Sequence, residues 1–187
     1  MRMCMSRLLP VNRNELVWYD EDMELFHHPP SSKQRFLGVL IAVLVTLCAG
    51  LVGNLLGADA IATWYANLDK PSWNPPNWIF GPVWTILYVL MGVAAYLVWE
   101  KTKDSSRRAA LVVYGVQLFL NALWSIIFFT FKQPAIAFGE IVIMWITILA
   151  TIILFWRIRP LAGALLLPYI AWVTFASVLN FAVWQLN

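Results

Sequence analysis

The chain has 187 residues, 61% hydrophobic and only 12% charged, with a formal net charge of +3 and a mean hydropathy of +0.70. So few charges cannot cover the surface of a water-soluble domain of this size, and the composition points to a bilayer as solvent. No Walker phosphate loop, dinucleotide fingerprint or Ser-His-Asp arrangement can be read, which argues against ATP-driven transport by this chain alone, and no feature points to nucleic acid.

Residues 1–35 read as a separate polar N-terminal extension. They contain no apolar run of signal-peptide length, and the acidic run 19–24 speaks against a mitochondrial presequence. On composition this extension is expected to be disordered. The two cysteines, Cys4 and Cys48, suggest neither a disulfide framework nor a metal site. The two histidines, His27 and His28, both precede the first apolar segment, so no histidine is available to ligate a haem within the membrane. No metal and no resident cofactor is expected.

Residues 36–187 read as a five-helix transmembrane domain. Five apolar segments follow one another at 36–57, 82–99, 108–131, 135–156 and 161–186. At ~1.5 Å of rise per residue each reaches across a hydrocarbon core of ~30 Å, the second only just. Backbone groups in lipid must be satisfied within the segment, and the alternation of a barrel strand is absent, so these are helices. The last three connections are short and make neighbours antiparallel, whereas residues 58–81 form a long Trp- and Pro-rich loop between helices one and two.

Basic residues fix the expected topology. Lys70 and Lys132 are alone at one end of the bundle. All the other Lys and Arg residues fall at the opposite end, among them Arg2, Arg7, Arg13, Lys33 and Arg35, then Lys101, Lys103, Arg107 and Arg108, then Arg157 and Arg159. The positive-inside rule places the N-terminus in the cytoplasm and the Trp-rich loop on the other face.

Polar groups inside spans are costly and face a partner or a cavity. Asn54, Glu140 and Asn180 belong to the half of the bundle under the Trp-rich loop, while Gln117 and Asn121 lie nearer mid-membrane. Interhelical hydrogen bonding accounts for Asn54, Gln117 and Asn180. A polar-lined chamber under the loop accounts equally well for Asn121, which shares a helix face with Gln117 and Ser125 and has Trp124 beside it. Trp99, Trp156 and Trp184 lie at helix ends, where an interfacial belt explains them, and Trp84 could belong there too. Trp124, Trp145 and Trp172 are deeper, and helix packing suffices for Trp145.

The loop is stiff by composition. Pro71, Pro75, Pro76 and Pro82 fix φ and prevent helix, and Trp73, Trp78 and Phe80 add flat apolar surface. Trp73, Pro75, Pro76 and Trp78 are therefore expected to form a lid, with Pro82 as the first residue of helix two. A simple plug for the bundle end would use the same residues. In helix one, Gly53-x-x-x-Gly57 with Ala49 offers a smooth face, for a second copy or for a neighbour in the same chain.

Three stretches, read together, carry a family resemblance. W-Y-A-N-L-D-K-P-S-W-N-P-P-N-W-I-F-G-P-V-W-T-I-L-Y (64–88), Q-L-F-L-N-A-L-W-S-I-I-F-F (117–129) and L-L-L-P-Y-I-A-W-V-T-F-A-S-V-L-N (165–180) resemble, in order, the first-loop, third-helix and fifth-helix motifs of the translocator protein family. Its members are also called tryptophan-rich sensory proteins or peripheral-type benzodiazepine receptors. The resemblance implies an all-α bundle of five transmembrane helices, commonly a homodimer, with a ligand pocket capped by the first loop. It implies as partners protoporphyrin IX or a related tetrapyrrole, synthetic isoquinoline-carboxamide or benzodiazepine ligands, and membrane lipid. Carried over residue by residue, the ligand-binding positions are Tyr65, Trp84, Asn121, Trp124, Trp172, Ala176 and Leu179. In a light- and oxygen-dependent breakdown of porphyrin, Trp84 and Trp172 would be the catalytic residues.

One departure narrows this. The stretch V-L-N-F-A-V-W-Q-L-N places Phe181 where the sterol motif of animal members has tyrosine, and no basic residue follows Trp184. Sterol transport is therefore disfavoured and a bacterial membrane favoured, the mitochondrial outer membrane being the expectation for a eukaryotic member. Porphyrin binding and sensing comes first, with light-dependent degradation or transport of porphyrin or sterol as alternatives.

Overall fold

The computed structural model describes residues 8–12, 15–18, 31–101 and 105–187. Arg2, Cys4, Arg7, Arg13, the acidic run 19–24, His27, His28 and Lys103, singled out above, lie outside the described residues, as does the side chain of Asn54. Two short strands, β1 (Leu8–Asn12) and β2 (Glu15–Trp18), pair antiparallel, Leu8 opposite Trp18, with an irregularity between Pro10 and Asn12.

Everything from residue 37 onward is helical architecture. Helix α1 is Ser32–Thr63, α2 Phe80–Lys101, α3 Ser105–Ser125, α4 Pro134–Ile158, α5 Pro160–Ala164 and α6 Leu167–Leu186. Short α5 and α6 together make the fifth of five spans, so the membrane-spanning part is all-α and the protein is a multi-pass integral membrane protein.

Three boundaries differ from the sequence expectation, each for a local reason. Helix α1 begins at Ser32 because Ser31 and Gln34 cap it reciprocally. The Gln34 N–H donates to Ser31 Oγ at 3.3 Å and the Ser31 N–H to Gln34 Oε1 at 2.8 Å. The same helix runs past Gly57 to Thr63, because one glycine costs only about 1 kcal/mol and the alanines that follow are strong helix formers. The connection to helix two is thereby reduced to residues 64–79, and it contains two 3-10 turns, Tyr65–Asn67 and Asn77–Ile79. Helix α2 then starts at Phe80, so Pro82 lies within its first turn, where backbone N–H groups have no helical acceptor in any case.

Helix α3 passes into a π-helical turn at Ile126–Thr130, and Lys132, at φ 55°, reverses the chain into α4. Helix α4 sits centrally. Its buried stripe, including Ala137, Ile141, Met144, Ile148 and Phe155, packs against α3 and α6 at the 3–4-residue spacing of a helix face. At the basic end Arg159 lies 3.6 Å from Glu100, and Arg107 covers the Trp99 ring. At the other end Asp69 and Asn187 are hydrogen-bonded, so connection 64–79 and the end of α6 share a face.

Helix α1 is the outlier. Only 11% of its most apolar window is buried, against 28–33% in the other four spans. It approaches α2 through small residues. Gly38 admits the Tyr96 ring, Gly50 the Tyr88 ring, and a Cβ on Gly92 would lie 2.5 Å from Val43 Cα. Thr46, fully buried, donates to the Tyr88 carbonyl at 2.8 Å. Gly53 faces α3 of the same chain, where a Cβ would lie 2.9 Å from Ser125 Cβ.

Candidate functional site

Under connection 64–79 the helices part around a cavity of about 530 Å³, a size typical of small-molecule sites. Helices α1, α2, α3 with its π turn, and α6 supply the walls. Helix α4 supplies none, because its buried stripe is spent on packing against α3 and α6.

Each wall follows from local sequence. Along α2, Phe80, Trp84 and Tyr88 recur every four residues and so share one face. Trp84 stacks on Tyr88 with centroids 5.5 Å apart and meets Tyr169 edge-on at 6.2 Å. On α6, Trp172, Ala176, Leu179 and Val183 repeat at the same helical spacing. The Trp172 ring is flanked by Phe80 at 5.7 Å and Phe175 at 5.4 Å. Its indole N–H is buried without a hydrogen-bond partner among the described residues, although the ring borders the cavity.

The π turn shapes the third wall. Successive α-helical residues point about 100° apart, yet Phe128 and Phe129 both border the cavity, since the extra residue of the π turn widens the helix there. Trp124 stacks on Phe128 at 5.1 Å and meets Phe129 edge-on at 6.0 Å. Its N–H donates to Asn180 Oδ1 at 3.0 Å, and Asn180 Nδ2 donates to the Pro134 carbonyl at 2.8 Å.

Of the residues named from sequence, Tyr65, Trp84, Trp124, Trp172, Ala176 and Leu179 border this cavity. Asn121 does not. It sits behind the wall, accepting from the Tyr88 hydroxyl at 2.5 Å and facing the Tyr169 hydroxyl at 3.3 Å, which in turn donates to Gln117 Oε1 at 2.9 Å. Asn121 and Gln117 thus hold Tyr88 and Tyr169, which both contact Trp84. Trp145 donates to Thr174 Oγ1 at 2.8 Å, away from the cavity. Glu140 is buried on α4, and neither carboxyl oxygen has a partner among the described residues.

The four lid residues do not border the cavity either. Trp78 is 73% exposed, and half-exposed Trp73 meets the Phe175 ring at 6.0 Å. Their neighbours Asn77 and Phe80 border it instead, because the 3-10 turn Asn77–Ile79 rotates Trp78 outward. The roof is Tyr65. Its ring is buried against Phe128 and Phe129, its hydroxyl donates to Asn74 Oδ1 at 3.3 Å, and burial raises its phenol pKa. The Lys70 ammonium lies 4.8 Å from the Tyr65 ring centroid.

Sequence reasoning passed over Tyr88, Phe128, Phe129 and the α1 wall at Leu47, Gly50 and Leu51. The four-residue spacing from Trp84 was enough to find Tyr88, but the π turn that admits both phenylalanines leaves no pattern in the residues.

Residues 42–185 match the model of the TspO/MBR family. The chain belongs to the TspO/MBR family. It is 40% identical over 153 residues to the tryptophan-rich protein TspO of Archaeoglobus fulgidus, covering 82% of this chain and 99% of that one. It is 42% identical over 135 residues to the tryptophan-rich sensory protein of Cereibacter sphaeroides, 72% of this chain and 82% of that one. To the human translocator protein it is 42% identical over 126 residues, 66% and 75% of the two chains. Membership in the TspO/MBR family carries a membrane sensor or transporter role.

Proposed function

We propose that the chain binds and senses porphyrins, protoporphyrin IX above all, in the cavity beneath connection 64–79. The observation that carries this is the wall itself. Trp84, Trp124 and Trp172 present three indoles to one cavity, and none of its described lining residues is charged. A flat, largely apolar macrocycle suits such walls, and the buried Trp172 N–H offers a donor. The porphyrin carboxylates are left to the connection end, where Lys70 supplies a cation beside Tyr65. Isoquinoline-carboxamide and benzodiazepine ligands, also aromatic and apolar, fit the same requirement. A homodimer is part of this proposal.

Titration with protoporphyrin IX in nanodiscs tests it. Saturable quenching of tryptophan emission at one porphyrin per protomer is expected, and unchanged emission would sink the proposal.

Light-dependent porphyrin degradation is a second function favoured by the same walls. Porphyrin is itself a photosensitiser, so light and oxygen would supply the reactivity, with Trp84 and Trp172 as oxidisable partners. Transport is the third, and would show as porphyrin flux into proteoliposomes.

A further inference from the structure

Helix α1 does not run alongside α2 for its whole length. From the basic end it touches α2 at Gly38, Val43, Thr46 and Gly50, the last against the Tyr88 ring. One turn further on, Gly53 is buried against Ser125 of α3. Helix α2 continues past Tyr88 toward Thr85 and Gly81, which border the cavity and are nevertheless exposed at the protein surface. Across the gap Leu51 shows the same combination, bordering the cavity while 53% exposed. The contacts between the two helices thus run up to Gly50 and Tyr88, and beyond them Leu51 and Thr85 each reach from the cavity to the protein surface. Both residues lie within membrane spans, so the surface they reach is one that faces lipid.

We infer that the gap between Leu51 of α1 and Thr85 of α2 is a lateral portal, through which a planar apolar ligand dissolved in the bilayer enters the cavity. This rests on the porphyrin-binding function proposed above and adds the route. Three features suit the role. Helix α1 is the least buried of the five spans, so a shift of it costs less packing than a shift of any other. The gap is bordered by uncharged side chains, so a ligand crosses it without leaving an apolar medium. The other end of the cavity is roofed by Tyr65, which is held by Asn74 and two phenylalanine rings.

Blocking each route in turn tests the portal. In a Cys4→Ser, Cys48→Ser background, single cysteines are placed by Thr85→Cys, Leu51→Cys, Asn77→Cys and Ile143→Cys, and each is coupled to a bulky thiol reagent. Position 77 marks the aqueous side of the cavity, and position 143 is a lipid-facing control on α4. Association and dissociation of protoporphyrin IX with protein in nanodiscs are followed by tryptophan quenching. Labels at 85 and 51 are expected to slow both rates about tenfold while Kd stays within about threefold, the signature of an obstructed path rather than a lost contact. The label at 143 should leave both rates near those of the background protein, and the label at 77, which borders the cavity, should slow association less than the labels at 85 and 51 do. Slowing at 77 without slowing at 85 or 51 would overturn the portal in favour of entry under the connection. Weaker Kd at unchanged association rate would overturn it too, making Thr85 and Leu51 wall contacts only. Those outcomes leave porphyrin binding standing, whereas an unlabelled protein that shows no quenching removes the binding function itself. Should one of the two portal variants fail to fold, the other decides.

Discussion

The Trp124 indole donates to the Asn180 side chain across the α3–α6 interface, 3.0 Å away, and the same amide reaches the Pro134 carbonyl at the start of α4. One buried side chain thus ties three helices together directly beside the cavity. Its second bond adds a further donor to a carbonyl in the first turn of α4.

Asn180→Leu keeps the branched outline of the side chain and removes both bonds. A buried indole N–H left without an acceptor costs about 1–3 kcal/mol, partly offset in a membrane, where such bonds average nearer ~1 kcal/mol. A loss of about 1–2 kcal/mol is expected in denaturant unfolding in detergent micelles. Porphyrin affinity should fall as well, because Trp124 is freed to rotate. Unchanged stability would show that the three-helix tie is energetically idle.

Close packing of α1 gives a second test. A Cβ on Gly92 would lie 2.5 Å from Val43 Cα and 2.8 Å from Val43 N, backbone that cannot swing aside. Gly92→Ala is expected to destabilise by about 1–3 kcal/mol, in the range of core overpacking. Gly139→Ala meets nothing within 4 Å and serves as the control. It should be neutral or stabilising by up to about 1 kcal/mol, since alanine is the better helix residue. Equal effects at both positions would contradict the α1–α2 packing described here.

The five-span bundle was legible in the sequence because bilayer thickness imposes a length on every span and leaves the caps little to decide. All five spans stand where the apolar segments predicted. The ends of α1 and α2 were not legible to the residue, since a single Gly57 and a single Pro82 are tolerated inside helices. The cavity walls were half legible. Trp84 follows from the motif and Trp172 from motif and depth, whereas Phe128 and Phe129 become neighbours in one wall only through a π turn. The lid expectation assumed that tryptophans beside prolines turn inward. In the structure Trp78 faces outward and the smaller Asn77 faces in.

Asn187 makes a reciprocal pair with the Asp69 backbone, accepting from its N–H and donating to its carbonyl, both at 3.0 Å. Asn187→Ala removes both, which at about 0.5–1.5 kcal/mol per exposed bond loosens the connection without unfolding the bundle. Faster hydrogen exchange across residues 66–74 is expected, with exchange in α4 unchanged. Identical exchange in the two proteins would count against the tie.

Illumination separates binding from degradation. With protoporphyrin IX bound, the proposed photochemistry predicts loss of the porphyrin absorption band in light and none in the dark. Trp84→Phe and Trp172→Phe each keep an aromatic wall but remove the more readily oxidised indole, so both should stop the loss while retaining the porphyrin. Wild-type rates in both variants would leave the protein a binder alone.

The most direct test of the central claim is a structure determined with protoporphyrin IX bound. The macrocycle is expected between α1, α2, α3 and α6, with Trp84 and Trp172 in van der Waals contact and its carboxylates toward Lys70. A macrocycle found on the outer surface of the bundle, with the cavity empty at saturating porphyrin, would contradict it.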